Sequence, residues 1–123
     1  MAVITHHQQR SHEIPGATFQ TLASPALGAS ETSVWRLRLE PHTPPVPHRL
    51  TREEIFVVLS GTATARLDGD TSTLEPGVAL VVPPGVDFEL TTDGDALEAL
   101  VCLPVGGQGI VGDEPAFTPP WAM

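Results

Sequence analysis

The sequence predicts an all-β protein built as an antiparallel sandwich or barrel. Thirteen prolines and eleven glycines divide the 123 residues into short pieces in which a helical period is hard to find. Those pieces are rich in valine, threonine and leucine, which favour strands. Predicted strands recur every ~8–12 residues between turn residues, a spacing typical of sandwiches and barrels.

The first strands follow from their patterns of apolar residues. Residues 33–40 alternate between apolar side chains and arginine, which predicts a half-buried strand. Residues 41–47 are rich in proline and predict a crossing without strand pairing. Residues 54–59 are apolar on both faces and predict a strand in the interior of a sheet.

A tight turn connects the next two strands. Asp68-Gly69-Asp70 is a hairpin signature, and it predicts that strands at 62–67 and 71–74 pair with each other. An apolar strand is predicted at 78–82, between two turns that contain proline and glycine.

The chain is expected to form one domain, residues 1–123. Its predicted core is 33–104, where Asp93-Gly94-Asp95 predicts a second hairpin before the last strand. The N-terminal arm, 1–32, and the tail, 105–123, lack a clear strand pattern. They are expected to be either mobile or laid across the barrel.

Composition and charge exclude several classes of function. The formal net charge is −9, with no lysine and six arginines, so neither nucleic acid nor an anionic membrane is an expected partner. No apolar run approaches the ~18–20 residues of a membrane helix, and no secretory signal is recognised. The single cysteine, Cys102, fits a reducing cytosol and predicts a cytoplasmic protein. Abundant alanine, glycine and proline are typical of a bacterial genome rich in GC.

Two stretches carry more information than the strand pattern. The first runs from His42 to Gly61 (HTPPVPHRLTREEIFVVLSG) and the second from Gly77 to Leu90 (GVALVVPPGVDFEL). Together they resemble the paired motifs of the cupin superfamily, G-x5-H-x-H-x3-E-x6-G and G-x5-P-x-G-x2-H-x3-N. The resemblance covers roughly residues 33–104 and implies a small cupin, an antiparallel jelly roll or double-stranded β-helix barrel, with a degenerate metal-binding motif.

The resemblance assigns residues to the ligand positions of the family. In metal-binding cupins, as it implies, three histidines and a glutamate hold a divalent metal. The first motif places His48 at its first histidine, Leu50 at its second and Glu54 at its glutamate. The second motif places Phe88 at its histidine and Thr92 at its asparagine. Two of the four ligands are therefore replaced by apolar residues.

These replacements predict a pocket for a small organic molecule, with no cofactor. His48 and Glu54 would form a polar handle in a mostly apolar pocket, and they are the candidate catalytic residues of a metal-free enzyme. The candidate ligand-binding residues are His48, Leu50, Glu54, Phe56 and Phe88. In the alternative interpretation, His48 and Glu54 form a buried hydrogen-bonded pair that only supports the fold.

Two other functions remain open from the sequence. A metal-dependent dioxygenase or isomerase would hold iron, manganese, nickel or zinc with His48, Glu54 and His42, provided that the proline-rich crossing turns His42 inward. Otherwise His42 is a turn residue at the surface. A structural or regulatory module would have its barrel filled with side chains.

The tail contains an unusual segment, Phe117 to Trp121, in which prolines lie between aromatic residues. Prolines favour an extended segment there. The expected alternatives are that it crosses the barrel, caps the mouth of the pocket, contacts a partner subunit or is disordered. The resemblance also implies a homodimer.

Overall fold

In a computed structural model that describes residues 1–123, the regular secondary structure of the chain is almost entirely β-strand, as the sequence predicted. No helix in it has the length and apolar character that crossing a membrane requires. The strands are β1 (Arg10–Ile14), β2 (Ala17–Ala23), β3 (Thr32–Leu39), β4 (Arg49–Leu50), β5 (Glu54–Ser60), β6 (Ala63–Leu67), β7 (Asp70–Leu74), β8 (Ala79–Val82), β9 (Phe88–Thr91), β10 (Leu97–Pro104) and β11 (Gly109–Ile110), with 3₁₀ turns at Pro25–Leu27 and Pro120–Ala122.

The strands form three antiparallel sheets. The largest has the order β1-β2-β3-β10-β5-β8, the second has the order β7-β6-β9, and β11 pairs with β4. Strands β5, β8 and β10 belong to the large sheet and β6, β7 and β9 to the second, so the chain repeatedly crosses from one sheet to the other. This arrangement is an antiparallel jelly roll, which confirms the predicted fold class.

The alternation in β3 sets one face of the large sheet. Trp35 and Leu37 are buried, whereas Arg36 and Arg38 between and after them are exposed. Strand β5 lies between β10 and β8, so its predicted position in the interior of a sheet is confirmed. The inner faces of these strands form the core of the barrel.

The first predicted hairpin is confirmed, and the second is wrong. Strands β6 and β7 pair across Asp68 and Gly69, whose φ angles of 52° and 87° suit a two-residue hairpin turn. Strand β9, by contrast, pairs with β6, while β10 pairs with β3 and β5. Asp93-Gly94-Asp95 therefore connects two sheets. A short turn sequence determines that the chain reverses, but not which sheet the next strand joins.

Gly61, the last residue of the first motif, occupies a position that admits no side chain. Its φ is 79°, and a Cβ atom there would overlap the backbone carbonyl of Ala96. Glycine adopts a positive φ readily and leaves room for this approach. Only glycine therefore fits at this position, where the chain after β5 passes close to the start of β10.

The N-terminal arm contributes two strands that sequence analysis missed. Strands β1 and β2 pair with each other, and β2 pairs with β3, opposing Phe19 to Leu37. Ala17, Phe19 and Thr21 are buried while the residues between them are less so. This alternation is a period of two, so the signal for β2 was present in the sequence.

The tail lies across the barrel, as one of the expected alternatives proposed. The ring of Trp121 stacks on Phe19, with ring centroids 3.6 Å apart and planes inclined by 9°. The hydroxyl of Thr21 donates to the carbonyl of Trp121 at 2.7 Å, and that of Ser33 donates to the carbonyl of Ala122 at 2.8 Å. These contacts attach the last residues to the large sheet.

Apolar side chains are also exposed on the outer face of the large sheet. Val57 and Leu59 on β5 and Val81 on β8 are between 36% and 50% exposed. The homodimer implied by the resemblance stays a prediction.

Candidate functional site

The barrel contains a cavity of about 450 Å³. Its walls come from both ends of the chain and from the two motif regions, and most of its lining residues are hydrophobic. The aromatic residues that line it are Phe19, Trp35, Phe56, Phe88, Phe117 and Trp121. The volume falls within the ~300–1,000 Å³ of typical small-molecule pockets.

The structure brings together all five residues that the sequence proposed for ligand binding. His48, Leu50, Glu54, Phe56 and Phe88 line this one cavity. They come from β4, β5 and β9 and from the residue before β4. Their role in binding remains a prediction, but their common location does not depend on it.

Glu54 is the buried polar group of the cavity. It is the first residue of β5, where its backbone pairs with Val82, and it is 5% exposed. Burial alone raises the pKa of its carboxyl group to about 8. Removal from water disfavours the charged form of an acid, so the carboxyl group is mainly protonated at neutral pH.

His48 lines the cavity and has one ring nitrogen without a hydrogen-bond partner in the protein. Its Nδ1 atom lies 2.8 Å from the carbonyl oxygen of Val46, so in the neutral ring Nδ1–H donates and Nε2 keeps its lone pair. The ring lies against Phe88, with centroids 4.4 Å apart, and the two residues exchange backbone hydrogen bonds of 3.0 and 2.9 Å. These contacts fix the position of the imidazole.

His48 and Glu54 do not form the hydrogen-bonded pair of the alternative interpretation. The ring of His48 is bonded to Val46, and no hydrogen bond or nearby charge contributes to the pKa shift of Glu54. This alternative is therefore not realised: the imidazole N–H donates to the backbone carbonyl of Val46, and neither the other ring nitrogen nor the carboxyl group of Glu54 has a hydrogen-bond partner in the protein. Two polar groups are therefore left to interact with whatever enters the cavity.

The side chains present do not fit a metal centre of the family type. No group of three or more histidine, cysteine, aspartate or glutamate side chains is arranged to hold a metal ion. His42, the proposed third donor, is exposed at a φ of 58° and lies outside the cavity lining. Its backbone N–H donates to the carbonyl of Asp93 at 2.8 Å, which holds it in a surface turn.

Thr92, at the asparagine position of the second motif, has a structural role. It is 2% exposed, and its hydroxyl donates to the carbonyl of Glu40 at 2.7 Å while accepting from the N–H of Thr43 at 3.0 Å. These bonds attach the proline-rich crossing to the end of β9. They help to place Thr43 and the following residues at the wall of the cavity.

Several walls of the cavity were not identified from sequence. Ala17 and Phe19 come from β2, and Gly109, Phe117 and Trp121 come from the tail. The tail's aromatic residues were recognised as unusual, but no local pattern shows that they face Phe19. That contact joins residues about a hundred positions apart.

The fold and the cavity define a small jelly-roll barrel with an apolar interior that carries two polar groups. The chain belongs to the cupin family, since residues 35–106, more than half of its length, match the cupin domain. A comparison with curated proteins finds no match.

Solved structures with the same fold include three bacterial proteins. The polyketide cyclase RemF from Streptomyces resistomycificus is 23% identical with a TM-score of 0.72, over 85% of this chain and 79% of that one. KdgF from Halomonas sp. is 19% identical with a TM-score of 0.68, over 85% and 94%. A sugar phosphate isomerase of the cupin superfamily from Silicibacter pomeroyi is 21% identical with a TM-score of 0.67, over 81% and 68%. These similarities establish the shared fold.

Proposed function

We propose that the protein binds a small, mainly apolar organic molecule inside its barrel, oriented by His48 and Glu54. The observation that carries this proposal is the cavity of about 450 Å³, whose hydrophobic walls enclose two polar groups without protein partners for their cavity-facing atoms. Small-molecule sites commonly combine apolar walls with a few placed polar groups.

Other observations favour this function over the alternatives. A structural module with a filled barrel would leave no cavity of ligand size, whereas this barrel has one. The absence of arginine and lysine from the cavity lining disfavours a phosphorylated substrate and favours an apolar one.

Occupation of the cavity can be tested with Nile red, an uncharged dye that fluoresces in apolar surroundings. Leu90 on β9 lines the cavity and is half-buried, so Leu90→Trp is expected to fill part of it and to weaken dye binding at least about tenfold. Val57→Trp places the same ring on the outer face of β5 and is the matched control.

We expect strong Nile red fluorescence with the wild type and with Val57→Trp, and weak fluorescence with Leu90→Trp. Thermal denaturation establishes that both variants are folded. A wild type that does not bind the dye, or two variants that bind it equally, would contradict the proposed site.

The second candidate is a metal-free enzyme that moves protons to and from its ligand. It is favoured by the state of the two polar groups: Glu54 holds a proton near neutral pH, and Nε2 of His48 is free to accept one. In such an enzyme His48 removes a proton from a carbon beside a ketone. The O–H of Glu54 then donates a hydrogen bond to the resulting enolate oxygen.

This activity is measured as deuterium exchange into the methyl group of methyl naphthyl ketone, followed by NMR. His48→Ala is expected to slow exchange by about a hundredfold or more. Its effect on the affinity for the ketone should be much smaller. If the wild type exchanges deuterium no faster than buffer alone does, the proposed proton-transfer activity is wrong, whereas the proposed binding function is unaffected.

A further inference from the structure

No lysine or arginine side chain faces the cavity. The chain has no lysine, and none of its six arginines is among the cavity-lining residues. Arg36 and Arg38 are exposed and contact Glu98, while the guanidinium of Arg49 lies 3.2 Å from the carbonyl of Gly112. An anion in the cavity would therefore lose its hydration without meeting a guanidinium or ammonium group.

Glu54 offers a proton to the cavity that no protein group accepts. The residue is 5% exposed, and neither a hydrogen bond nor an ion pair within the protein engages its carboxyl group. A ligand that supplies an acceptor there gains a hydrogen bond among apolar walls, where water competes for the donor less than it does in bulk solvent. The neighbouring walls, such as Phe56, are hydrocarbon and supply no such acceptor.

We infer that the cavity selects uncharged ligands that place a carbonyl oxygen at Glu54 and excludes ligands that carry a carboxylate, phosphate or sulfate. This inference rests on the proposed binding function and specifies the class of ligand. A second polar group of the ligand, a hydroxyl, suits Nε2 of His48 because that atom accepts a hydrogen bond. The ligand class is therefore an apolar ketone or hydroxyketone.

The dependence on pH follows from the same two groups. Among the residues that line the cavity, only His48 and Glu54 have ionisable side chains. Strand β8, which pairs with β5 beside Glu54, has no titratable side chain. On β10, Glu98 is engaged by arginines outside the barrel, and Cys102 pairs with Ile55, whose side chain points to the opposite face of the sheet from that of Glu54. Above a pH of about 8 the carboxyl group of Glu54 loses the proton that it would donate, so the preference for a carbonyl group should disappear.

Three naphthalene probes of similar size separate these effects by calorimetry. They are methyl naphthyl ketone, ethylnaphthalene and naphthoate, all substituted at the same ring carbon. At neutral pH the wild type is expected to bind the ketone about tenfold more tightly than the hydrocarbon, as one added hydrogen bond provides. Naphthoate should bind at least about a hundredfold more weakly than the ketone, because no lysine or arginine in the cavity compensates its charge.

Two substitutions of Glu54 identify the responsible group. Glu54→Leu removes the donor and should reduce the ratio of the ketone and hydrocarbon affinities to about one. Glu54→Gln keeps N–H donors at every pH. This variant should therefore still prefer the ketone over the hydrocarbon at high pH, where the wild type loses that preference.

The outcomes distinguish the ligand class from the binding function. Equal affinities of the wild type for the ketone and the hydrocarbon, or tightest binding of naphthoate, would overturn the ligand class while leaving a binding cavity. Binding of none of the three probes would overturn the proposed function and the ligand class with it. A tenfold preference of the wild type for the ketone over the hydrocarbon, abolished by Glu54→Leu, supports both the binding function and the ligand class.

Discussion

Glu54→Gln is expected to raise the free energy of unfolding by about 3 kcal/mol near pH 7, because it removes a carboxyl group that burial keeps protonated. In the unfolded chain this group has an ordinary pKa of 4.5, whereas in the barrel its pKa is about 8. At pH 7 the unfolded state is therefore stabilised by ionisation, and the folded state is not. Glutamine is similar in size and does not ionise in either state.

The sign of the pH dependence follows from the direction of this shift. Below about pH 4.5 the group is protonated in both states, and its contribution to stability is intact. As the pH rises from about 4.5 to 8, only the unfolded state releases the proton, so wild-type stability falls by about 1.4 kcal/mol per pH unit. Above about pH 8 both states are ionised and no further stability is lost through this group.

Urea denaturation of the wild type and Glu54→Gln at several pH values between 5 and about 9 measures this difference. The curves are expected to converge toward low pH and to separate as the pH rises. Glu53→Gln is the matched control, since Glu53 is the preceding residue and is exposed. The free energy of unfolding is compared by its slope against pH. If Glu53→Gln changes this slope as much as Glu54→Gln does, or if neither variant changes it, Glu54 is not protonated in the folded state.

The elements that could be predicted from sequence are those specified by neighbouring residues. Strand β3 follows from alternation, and the β6–β7 hairpin follows from two residues that accept a positive φ. The motif frame placed Gly61, and the structure supplies the reason, its close approach to Ala96. In each case a few adjacent side chains or one backbone angle determine the local structure.

The elements that could not be predicted depend on distant parts of the chain. Asp93-Gly94-Asp95 was assigned to a hairpin, but the partners of β10 are β3 and β5. The stacking of Trp121 on Phe19 depends on the path of the whole barrel. Such long-range pairings leave no trace in a short window of sequence.

In the candidate site, too, some features could be predicted from sequence and others could not. The motif register brought His48, Leu50, Glu54 and Phe88 to one place, and all four line the cavity. The hydrogen-bonding state of these groups could not be predicted, because it depends on one backbone carbonyl and on burial. The carbonyl of Val46 fixes the ring of His48, and the apolar walls keep Glu54 protonated.

Leu50→His combined with Phe88→His is expected to convert the cavity into a zinc site. Both residues line the same cavity as His48 and Glu54, at the positions where the family resemblance places histidines. The wild type offers two donors there, whereas a stable zinc site generally needs three or more protein ligands. The double variant offers four and should bind one zinc ion per chain at least about a hundredfold more tightly than the wild type.

Calorimetric titration with zinc and thermal denaturation with and without the metal test this conversion. Phe88 and Leu50 are 2% and 3% exposed, so each histidine alone should lower the melting temperature by burying a polar ring. Zinc should restore much of that loss in the double variant, since a ligand that binds only the folded state stabilises it. The two single variants are the controls, and they should gain less affinity because each supplies at most three donors. If the folded double variant binds zinc no better than the wild type, the four side chains do not converge on one point, and the loss of two histidines is not what separates this barrel from a metal-binding one.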